Sequence, residues 1–404
     1  MANRKVTYRL YPNQQQAEHL LELIAYHQRI YNTALEERIR VYHEEKKSLS
    51  FADQCKALTR WRQKNSGLKK INAQSLQVTL KRLDLAFQSF FRRVKSGDTP
   101  GFPRFKSLQR FPGWGYKTHG DGWRLFAGKG MQHGCLRLSG VGNIKIRGKA
   151  RTPGEAKTAE ILHKSGKWYI SVTVECKPTR SSGKKAIGLD WGLEKFIVSH
   201  DSEDKTDDID NPRHLRKMLP RLKKLQQSVS KKKKGSKNRK KAITILSKCH
   251  IRIANQRKDF HHQRATELVK ENGMIATEAL SVKSMTAKGG SRKRGLNREI
   301  LSTAPRQFHT LLKSKAEEAG AIWVEIPTRE VKPSQTCYRC CKQKKKALYE
   351  RWHSCDCGVN CSRDENAARV ILNWALRWAS GQELAEVRSC RGFAALKHET
   401  HAIP

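Results

Sequence analysis

Acidic residues are scarce in this sequence. Its 404 residues include 82 Lys and Arg against 37 Asp and Glu, which gives a formal net charge of 82 − 37 = +45. A surplus of this size opposes compaction unless a polyanionic partner offsets it. We therefore expect the protein to bind nucleic acid, and an anionic membrane surface is the second candidate.

Long apolar runs are also absent. No stretch of about 18 apolar residues occurs, so a transmembrane helix is not expected. The opening residues, MANRKVTYRLYP, lack the apolar core of a signal peptide. We therefore expect a cytoplasmic protein without a membrane partner. In a reducing compartment its 11 cysteines are expected to act as thiols or metal ligands and not as disulfides.

Several catalytic motifs are missing as well. The sequence has no G-x4-G-K-[ST] phosphate-binding loop, no H-E-x-x-H helix and no G-x-S-x-G elbow. No signature of nucleotide hydrolysis or of these hydrolase classes therefore competes with the cysteine and acid patterns described below.

The periodicity of apolar residues predicts a helical module near the start and β structure after it. Alternation in KVTYRLYP predicts a strand that Pro12 ends, and helical spacing follows over 14–45 and 72–94. Residues 121–178 contain short alternating runs separated by glycines. Such runs favour a small barrel or a curled sheet.

The chain changes character after the polar linker KPTRSSGKK. Strands are predicted over 184–200, and a basic helical region follows over 213–270. A later strand ends at Glu278, and residues 284–297 are expected to form a flexible basic loop. The remaining predicted elements are a helix over 305–319, a strand in AIWVEIP and a last helix over 362–378.

Two basic segments are candidate nucleic-acid contacts. Residues 101–118, GFPRFKSLQRFPGWGYKT, alternate aromatic rings with cations such as Arg104 and Lys106. Rings stack on bases and cations meet phosphates, although a loop that covers a core edge explains the same pattern. The run Lys231, Lys232, Lys233 and Lys234 is the second candidate, and its alternative is a solvated turn.

The cysteines cluster near the C-terminal end of the chain. Cys337 and Cys340 form a C-x2-C pair, and Cys355 and Cys357 form a C-x-C pair. Two such pairs supply the four thiolates of a tetrahedral, structural zinc site. Substitutes for one of these ligands are Cys341, Cys361 and His353. A set of reactive or buried thiols is the alternative to a zinc site.

Three of the scarce acids occupy positions that suit metal binding. Asp190 ends the strand-like run KKAIGLD, Glu278 ends a later strand, and Asp364 starts the last helix. Each acid alone is explained by a turn or by compensation of the helix dipole. Together, three carboxylates at one point hold two Mg²⁺ (or Mn²⁺) ions about 3.5–4 Å apart for phosphodiester hydrolysis. This is the arrangement of RNase H-like nucleases.

The sequence resembles the TnpB (OrfB) proteins of bacterial insertion sequences, relatives of the type V CRISPR effectors. The resemblance extends over about residues 5–375. The phrases that carry it, in the family's order, are YRLYPNQQQAEHL, RIYNTALEER, GFPRFKS, GKWYISVTVE, IGLDWGLEKF, ATEALSVKSM, KPSQTCYRC and CSRDENAARVI.

This resemblance implies an RNA-guided DNA endonuclease with a RuvC-type domain. The family's acidic positions match Asp190, Glu278 and Asp364, and its cysteine ribbon matches the two cysteine pairs. The implied partners are a structured guide RNA transcribed from the element and a double-stranded DNA target beside a short motif. A monomeric protein in the ribonucleoprotein, associated with the bacterial nucleoid, is expected.

The implied fold is multidomain α+β. It comprises a helical recognition lobe, a small β-barrel wedge domain and an RNase H-like (RuvC) α/β nuclease domain with an inserted zinc ribbon. The implied boundaries are 1–12 for the first wedge strand, 13–118 for the recognition lobe, 119–180 for the rest of the wedge, 181–330 for the first nuclease part, 331–361 for the ribbon, 362–380 for the last nuclease helix and 381–404 for a disordered tail.

The sequence departs from the family pattern at a few positions. Cys341 stands where the family often has Gly, Ala279 follows the glutamate where an acid or amide is more usual, and the second cysteine pair is C-x-C. No departure removes a carboxylate, so an active enzyme is expected. The alternatives are a DDE-type transposase, a non-cleaving RNA-guided DNA-binding repressor and a nucleic-acid-packaging protein.

Overall fold

The computed structural model describes residues 2–150, 152–177, 180–347 and 349–381. The chain divides into two compact units, Met1–Pro178 and Thr179–Pro404. The predicted tail lies outside the described residues except for Gly381. Within the described ranges, no helix is both long and apolar enough to span a lipid bilayer.

A seven-stranded antiparallel sheet forms the β part of the first unit. Its strands are β1 (Ala2–Tyr11), β2 (Gly113–Tyr116), β3 (Trp123–Gly128), β4 (Gln132–Leu138), β5 (Gly142–Lys149), β6 (Glu155–Lys164) and β7 (Lys167–Cys176). They pair in the order β2-β6-β7-β1-β5-β4-β3. Because β1 pairs with β7 along most of its length and with β5 at its end, the sheet curls into a half-barrel. The curled-sheet prediction is confirmed, and β2 and β3 remain edge strands.

Alternation along the strands explains which face of this sheet is buried. In β7, Trp168, Ile170, Val172 and Val174 are buried, and the residues between them are partly exposed. Successive side chains of a strand point to opposite faces, so the period of two assigns one face to the core.

Four helices complete the first unit. They are α1 (Gln14–Glu45), α2 (Phe51–Lys64), α3 (Ser66–Lys69) and α4 (Ala73–Lys95). Asn13 and Gln16 begin α1 with a reciprocal capping box. The apolar faces of α1 and α4 share one core with the sheet. The two helices predicted over 14–45 and 72–94 are confirmed.

Strand β2 lies in the stretch that the sequence assigns to the helical lobe. Gly113–Tyr116 pair with β6, so the sheet extends into the predicted range 13–118. Trp114 and Tyr116 are buried there. These two rings of the aromatic segment therefore serve the core, because burial of such large apolar surfaces dominates their energetics.

A five-stranded mixed sheet forms the centre of the second unit. Its strands are β8 (Lys185–Trp191), β9 (Lys195–Asp201), β10 (Thr206–Asp210), β11 (Asn272–Glu278) and β12 (Ile322–Ile326). The order is β10-β9-β8-β11-β12. β11 is parallel to both β8 and β12, whereas β9 is antiparallel to β8 and to β10.

The described part of the second unit contains seven α-helices. They are α5 (His214–Ser230), α6 (Lys237–Glu271), α7 (Val282–Met285), α8 (Ser291–Thr303), α9 (Pro305–Ala319), α10 (Thr328–Val331) and α11 (Arg363–Ala379). Ile187 and Leu189 of β8 pack with α6 and α9. Ala186 of β8 and Ala276 of β11 pack with α11 on the opposite face.

The basic region forms a helical hairpin. Helices α5 and α6 pack through Leu222, Cys249 and Ile253. The turn between them contains the lysine run 231–234. The predicted interruption of the helical region at this run is confirmed.

The predicted flexible loop over 284–297 is wrong, because α7 and α8 cover most of it. The Asn297 amide donates to the carbonyl oxygens of Thr286 (3.1 Å) and Ala287 (3.0 Å), which fixes α8 against the end of α7. Glycines and cations gave this segment a loop-like composition, but tertiary contacts override such local preferences.

The cysteine-rich segment directly precedes α11. It contains a short antiparallel hairpin of β13 (Trp352–Ser354) and β14 (Asn360–Ser362). Ser362 then starts α11 by accepting a hydrogen bond from the Glu365 N–H at 3.1 Å. The segment is therefore joined without a linker to the helix that carries Asp364.

Candidate active site and cysteine cluster

Two of the predicted acids lie side by side on neighbouring parallel strands. Ala276 of β11 lies opposite Gly188 of β8, and Glu278 and Asp190 follow two residues further along. Side chains alternate along a strand, so both acids share the face on which Ala186 and Ala276 pack against α11. The strand ends thus direct two carboxyl groups toward the helix that carries the third.

Gly188 allows α11 to approach this strand closely. A Cβ atom at Gly188 would lie 2.3 Å from the Ala368 carbonyl oxygen and 2.7 Å from the Leu372 nitrogen, both in the α11 backbone. Such distances are far below van der Waals contact, so only glycine fits here. Because Asp364 precedes Ala368 by one helical turn, the contact brings Asp364 to the side of α11 that faces β8.

The three carboxyl groups interact electrostatically. Burial raises the pKa of Asp190 well above its usual range, and the charge and hydrogen bond of Glu278 and the charge of Asp364 raise it further. The Arg363 guanidinium acts in the opposite direction. Burial also raises the pKa of Glu278, while the hydrogen bond with Asp190 opposes this rise. Two carboxyl groups can share a hydrogen bond only if one keeps a proton.

Close contact between these carboxyl groups favours binding of a cation. Carboxylates in close contact repel each other unless a proton or a cation lies between them. All three residues are partly exposed, so a cation from solvent reaches them. A set of three carboxylate ligands fits hard divalent ions such as Mg²⁺ or Mn²⁺.

The four cysteines of the two predicted pairs form a compact cluster. Their Sγ atoms all lie within 4.8 Å of one another. The Sγ atoms of Cys337 and Cys357 are 3.6 Å apart, and those of Cys340 and Cys355 are 3.4 Å apart. Tetrahedral zinc with Zn–S bonds of about 2.3 Å requires sulfur separations of about 3.8 Å. The cluster is therefore compatible with a structural zinc ion.

Backbone amides favour thiolate at one of these positions. Burial opposes ionisation of Cys357, but hydrogen bonds from the Val359 amide and from the neighbouring cysteines lower its pKa to about 7. Burial instead raises the pKa of Cys337 to about 12. Because zinc displaces thiol protons, the buried sulfur needs the metal to become a thiolate.

The three substitute ligands lie outside this cluster. Neither Cys341 nor Cys361 belongs to the group of four, and the Nδ1 atom of His353 contacts the Lys346 amine. Cys361 is part of β14, which pairs with β13 instead of contributing to the group. The geometry therefore selects the C-x2-C and C-x-C pairs.

The predicted nucleic-acid contacts differ in their exposure and local partners. Arg104 is exposed, whereas the Lys106 amine lies 4.4 Å from the centre of the Tyr31 ring. Lys231, Lys233 and Lys234 are exposed in the α5–α6 turn. The remaining lysine, Lys232, donates to the Ser228 side chain at 3.1 Å.

Sequence reasoning missed the residues that hold α11 in place. Arg369 pairs with Glu365 at 3.0 Å and with Asp204 at 3.3 Å, and its guanidinium lies over the Tyr338 ring. Asn366 is fully buried against the cysteine segment. Both residues stand in the phrase CSRDENAARVI, but their partners outside α11 are distant in sequence, so no local pattern identifies these contacts.

Family models match most of this architecture. A model of the OrfB_IS605 family, described as "Probable transposase", matches residues 169–288, and a "Cas12f1-like, TNB domain" model matches residues 306–371. A third model, described as "Helix-turn-helix domain", matches residues 1–47. In that last range the structure has strand β1 and the single long helix α1.

Similar proteins extend over nearly the whole chain. A "Putative RNA-guided DNA endonuclease" of Streptomyces pristinaespiralis is 31% identical over 378 residues, which cover 91% of this chain and 88% of that protein. "Putative RNA-guided DNA endonuclease InsQ" of Escherichia coli (strain K12) is 27% identical over 369 residues, covering 85% of each. "TnpB-like protein L79" of Acanthamoeba polyphaga mimivirus is 28% identical and covers 52% of this chain and 41% of that protein.

A solved structure has a similar fold. The protein in "Cryo-EM structure of the Cas12f1-sgRNA-target DNA complex" superimposes with a TM-score of 0.57 and 16% sequence identity. The match covers 89% of this chain and 83% of that one. At this identity the likeness concerns the fold alone.

Proposed function

Because this chain belongs to the TnpB (OrfB) family of insertion-sequence proteins, we propose that it is an RNA-guided DNA endonuclease. It cuts target DNA beside a short motif by metal-dependent phosphodiester hydrolysis. The observation that carries the chemical part of this proposal is geometric: Asp190 and Glu278 end adjacent parallel strands, and the α11 backbone lies on Gly188 one turn after Asp364. Three carboxylates from two strand ends and one helix start are what a divalent-metal nuclease needs.

The chain's own residues have defined tasks in this mechanism. Asp190 and Glu278, on adjacent strands, would hold the cations, and Asp364 would complete the ligand set from α11. Divalent cations held there would activate a water molecule and would stabilise charge on the scissile phosphodiester. The rigid sheet fixes two of the three ligands before substrate arrives, which lowers the cost of assembling the site.

The cysteine cluster has a structural task in the same proposal. Four thiolates at Cys337, Cys340, Cys355 and Cys357 fill the coordination shell of zinc and leave no position for substrate. Zinc bound there would hold the segment against the start of α11 and would thus support the helix that carries Asp364.

The charge distribution supports a guide RNA and a DNA target as partners. Residues 211–258, which include α5 and the first part of α6, contain no Asp or Glu. An acid-free hairpin of this length neutralises phosphates without internal competition from carboxylates. Sequencing of the RNA that co-purifies with the protein tests this part. A discrete structured RNA is expected, and random cellular RNA would contradict a guided mechanism.

Substitution of Asp190 tests the catalytic part. We expect Asp190→Ala to reduce cleavage of a plasmid complementary to the co-purified guide by several orders of magnitude, because one metal ligand is lost. Binding of the same plasmid should persist, since the basic surfaces are unchanged. EDTA should reproduce the effect in the unmodified protein, and Mg²⁺ or Mn²⁺ should reverse it.

Two controls make this result specific. The exposed Asp207 belongs to the same unit, and Asp207→Ala should cut at the unmodified rate. Wild-type cleavage by Asp190→Ala would refute the three-carboxylate mechanism, and joint loss of binding and cleavage would make Asp190 a folding residue. Joined strands in place of cut ends would indicate a transposase.

A further inference from the structure

Asn366 is a fully buried polar residue that the mechanism above does not use. Its side chain has no solvent exposure. The Nδ2 group donates to the Thr336 carbonyl at 2.7 Å and to the Pro333 carbonyl at 3.4 Å, and Oδ1 accepts from the Tyr338 N–H at 3.2 Å. Asparagine suits this place because it donates and accepts at once.

These bonds join α11 to the backbone on either side of Cys337. Thr336 and Tyr338 are the direct neighbours of that cysteine, and Tyr338 lies inside the C-x2-C turn. A bond from Asn373 to the Tyr338 carbonyl, at 3.3 Å, adds a weaker link two turns further along the helix. The cysteine turn is therefore held mainly by the first turns of α11.

Helix geometry places the Asn366 side chain on the side of α11 opposite to Asp364. Successive helical residues are about 100° apart, so residues two apart point in nearly opposite directions. Asp364 shares the side of Ala368, which contacts Gly188 of β8, and Asn366 points to the cysteine turn. The start of α11 thus lies between strand β8 and the cysteine turn.

We propose that Asn366 is a positioning residue for the metal site. Its three hydrogen bonds fix the depth and rotation of the first turn of α11, and thereby the place of the Asp364 carboxylate beside Asp190 and Glu278. The inference rests on the proposed function, because it takes Asp364 to be a metal ligand. In this inference, the Asn366 amide connects the cysteine turn to the proposed metal ligands.

A purely structural role for Asn366 predicts a different behaviour. If Asn366 only stabilised the fold, its loss would lower the amount of active protein and leave the metal requirement of each molecule unchanged. If Asn366 places a ligand, its loss weakens cation binding itself. The cation concentration for half-maximal cleavage separates the two cases.

The test compares Asn366→Ala, Asn366→Asp and Asn373→Ala in the full chain with its co-purified RNA. For Asn366→Ala we expect the half-maximal Mg²⁺ concentration to rise roughly 10-fold and the rate at saturating Mg²⁺ to fall about 10- to 100-fold, as for a ligand displaced by about 1 Å. Zinc content and target binding should match the unmodified protein. Asn373→Ala, on the same helix, should change the Mg²⁺ midpoint by less than about 2-fold, since it lies beyond the first turn.

Asn366→Asp keeps the volume and the acceptor for Tyr338 but replaces the donor to the two carbonyls. It should shift the Mg²⁺ midpoint in the same direction, and it serves as the test variant if the alanine protein does not fold. An unchanged midpoint in Asn366→Asp, or equal shifts in the Asn366 and Asn373 variants, would overturn the inference.

If the wild-type protein shows no metal-dependent cleavage, the proposed function itself fails. If it cuts and Asp190→Ala does not, a wild-type midpoint in the Asn366 variants refutes only this inference.

Discussion

At the scale of single residues, Gly188 connects packing to chemistry. It is two residues from Asp190, and it contains no catalytic group. Its missing side chain lets the α11 backbone lie directly on β8, so the distance between the strand acids and Asp364 depends on it. Gly188 is thus required for this packing of α11 on β8.

Substitution of Gly188 by alanine tests the position of Asp364 without removing any carboxylate. The new methyl group would overlap the Ala368 carbonyl and push α11 away from β8, which costs about 1–3 kcal/mol of stability. We expect cleavage to fall further than this stability loss explains, because Asp364 moves with the helix. Plasmid cleavage and thermal unfolding measure the two effects. Gly295→Ala, at a glycine with open space around it, is the matched control.

A wild-type cleavage rate in Gly188→Ala would contradict this account. It would mean that α11 tolerates the methyl group without moving Asp364, or that Asp364 does not need its present distance from Asp190. Either result would also weaken the three-carboxylate proposal.

His27 gives the first unit a pH-dependent stability. Burial, and secondarily the charge of Arg82, lower its pKa from 6.5 to about 3. The neutral ring bonds to the Thr79 hydroxyl at 2.8 Å and stacks on Trp114. Below pH 6.5 the unfolded chain binds a proton that the folded chain refuses. This stability is therefore complete above pH 6.5 and is lost as the pH falls toward 3.

Melting curves at pH 7 and pH 5 test this prediction. Between pH 7 and pH 5, the buried His27 lowers the free energy of unfolding by about 2 kcal/mol. We expect His27→Gln to show a smaller drop in melting temperature between the two pH values than the unmodified protein. The exposed His43 provides the control, since His43→Gln should keep the full drop. An undiminished drop in His27→Gln would show that other groups cause it.

The sequence identified the ligand types but not the residues that position them. The cysteine pairs are recognisable from their spacing alone, whereas Asp190 and Glu278 became candidates only in combination with Asp364. The contacts that Asn366 and Arg369 make outside α11 are with residues more than 25 positions away in the chain, so these roles depend on the folded arrangement. Of the nucleic-acid candidates, Lys106 packs against Tyr31, a contact that composition alone does not reveal.

At the scale of secondary-structure elements, length and periodicity decided what was predictable. Helix α1 has 32 residues, a capping box and a continuous apolar face, and its bounds followed from the sequence. Helix α8 has 13 residues with three cations in its first four positions and an internal glycine, so its composition indicated a loop. Tertiary hydrogen bonds from Asn297 order it instead.

At the same scale, we expect the order of the cysteine segment to depend on bound metal. It contains only two three-residue strands, and few apolar residues pack there. We expect about one zinc per chain, measured by elemental analysis of protein purified without added metal. The double variant Cys337→Ser/Cys340→Ser should lose this zinc and destabilise the C-terminal part of the second unit, because structural zinc binding is coupled to folding.

The chain offers a control for this experiment in Cys361. It belongs to the same segment but lies outside the group of four, so Cys361→Ser should retain the zinc. Unchanged zinc content in the double variant would refute the assignment of the ligands. Loss of zinc in Cys361→Ser would mean that the resting thiol arrangement differs from the metal-bound one.

At the scale of the whole molecule, the charge of +45 raises the question of whether particular cations or the total charge bind the nucleic acid. Nucleic-acid affinity could follow from the summed field of the protein, or from particular cations that touch phosphates. Both give salt-dependent binding, but only released counterions at direct contacts set the slope of log K against log salt. The α5–α6 turn allows the two to be separated, because three of its four consecutive lysines are exposed.

We expect the variant Lys231→Gln/Lys233→Gln/Lys234→Gln to flatten that slope by up to about 2.7 on duplex DNA, or about 2.1 on a single strand, at 0.9 or 0.7 per phosphate contact. Lys232 is left in place because its amine already bonds to Ser228. Lys64, Lys69 and Lys70 of the first unit are exposed, so their triple Gln variant has the same net charge, 45 − 3 = +42, and serves as the comparison. Filter-binding or fluorescence titrations between low and physiological salt give both slopes.

If the turn variant keeps the wild-type slope, the lysine run is a solvated turn, and contacts elsewhere hold the nucleic acid. If both variants weaken binding equally without a change in slope, the field of the whole molecule attracts the partner, and no single hairpin is its docking site.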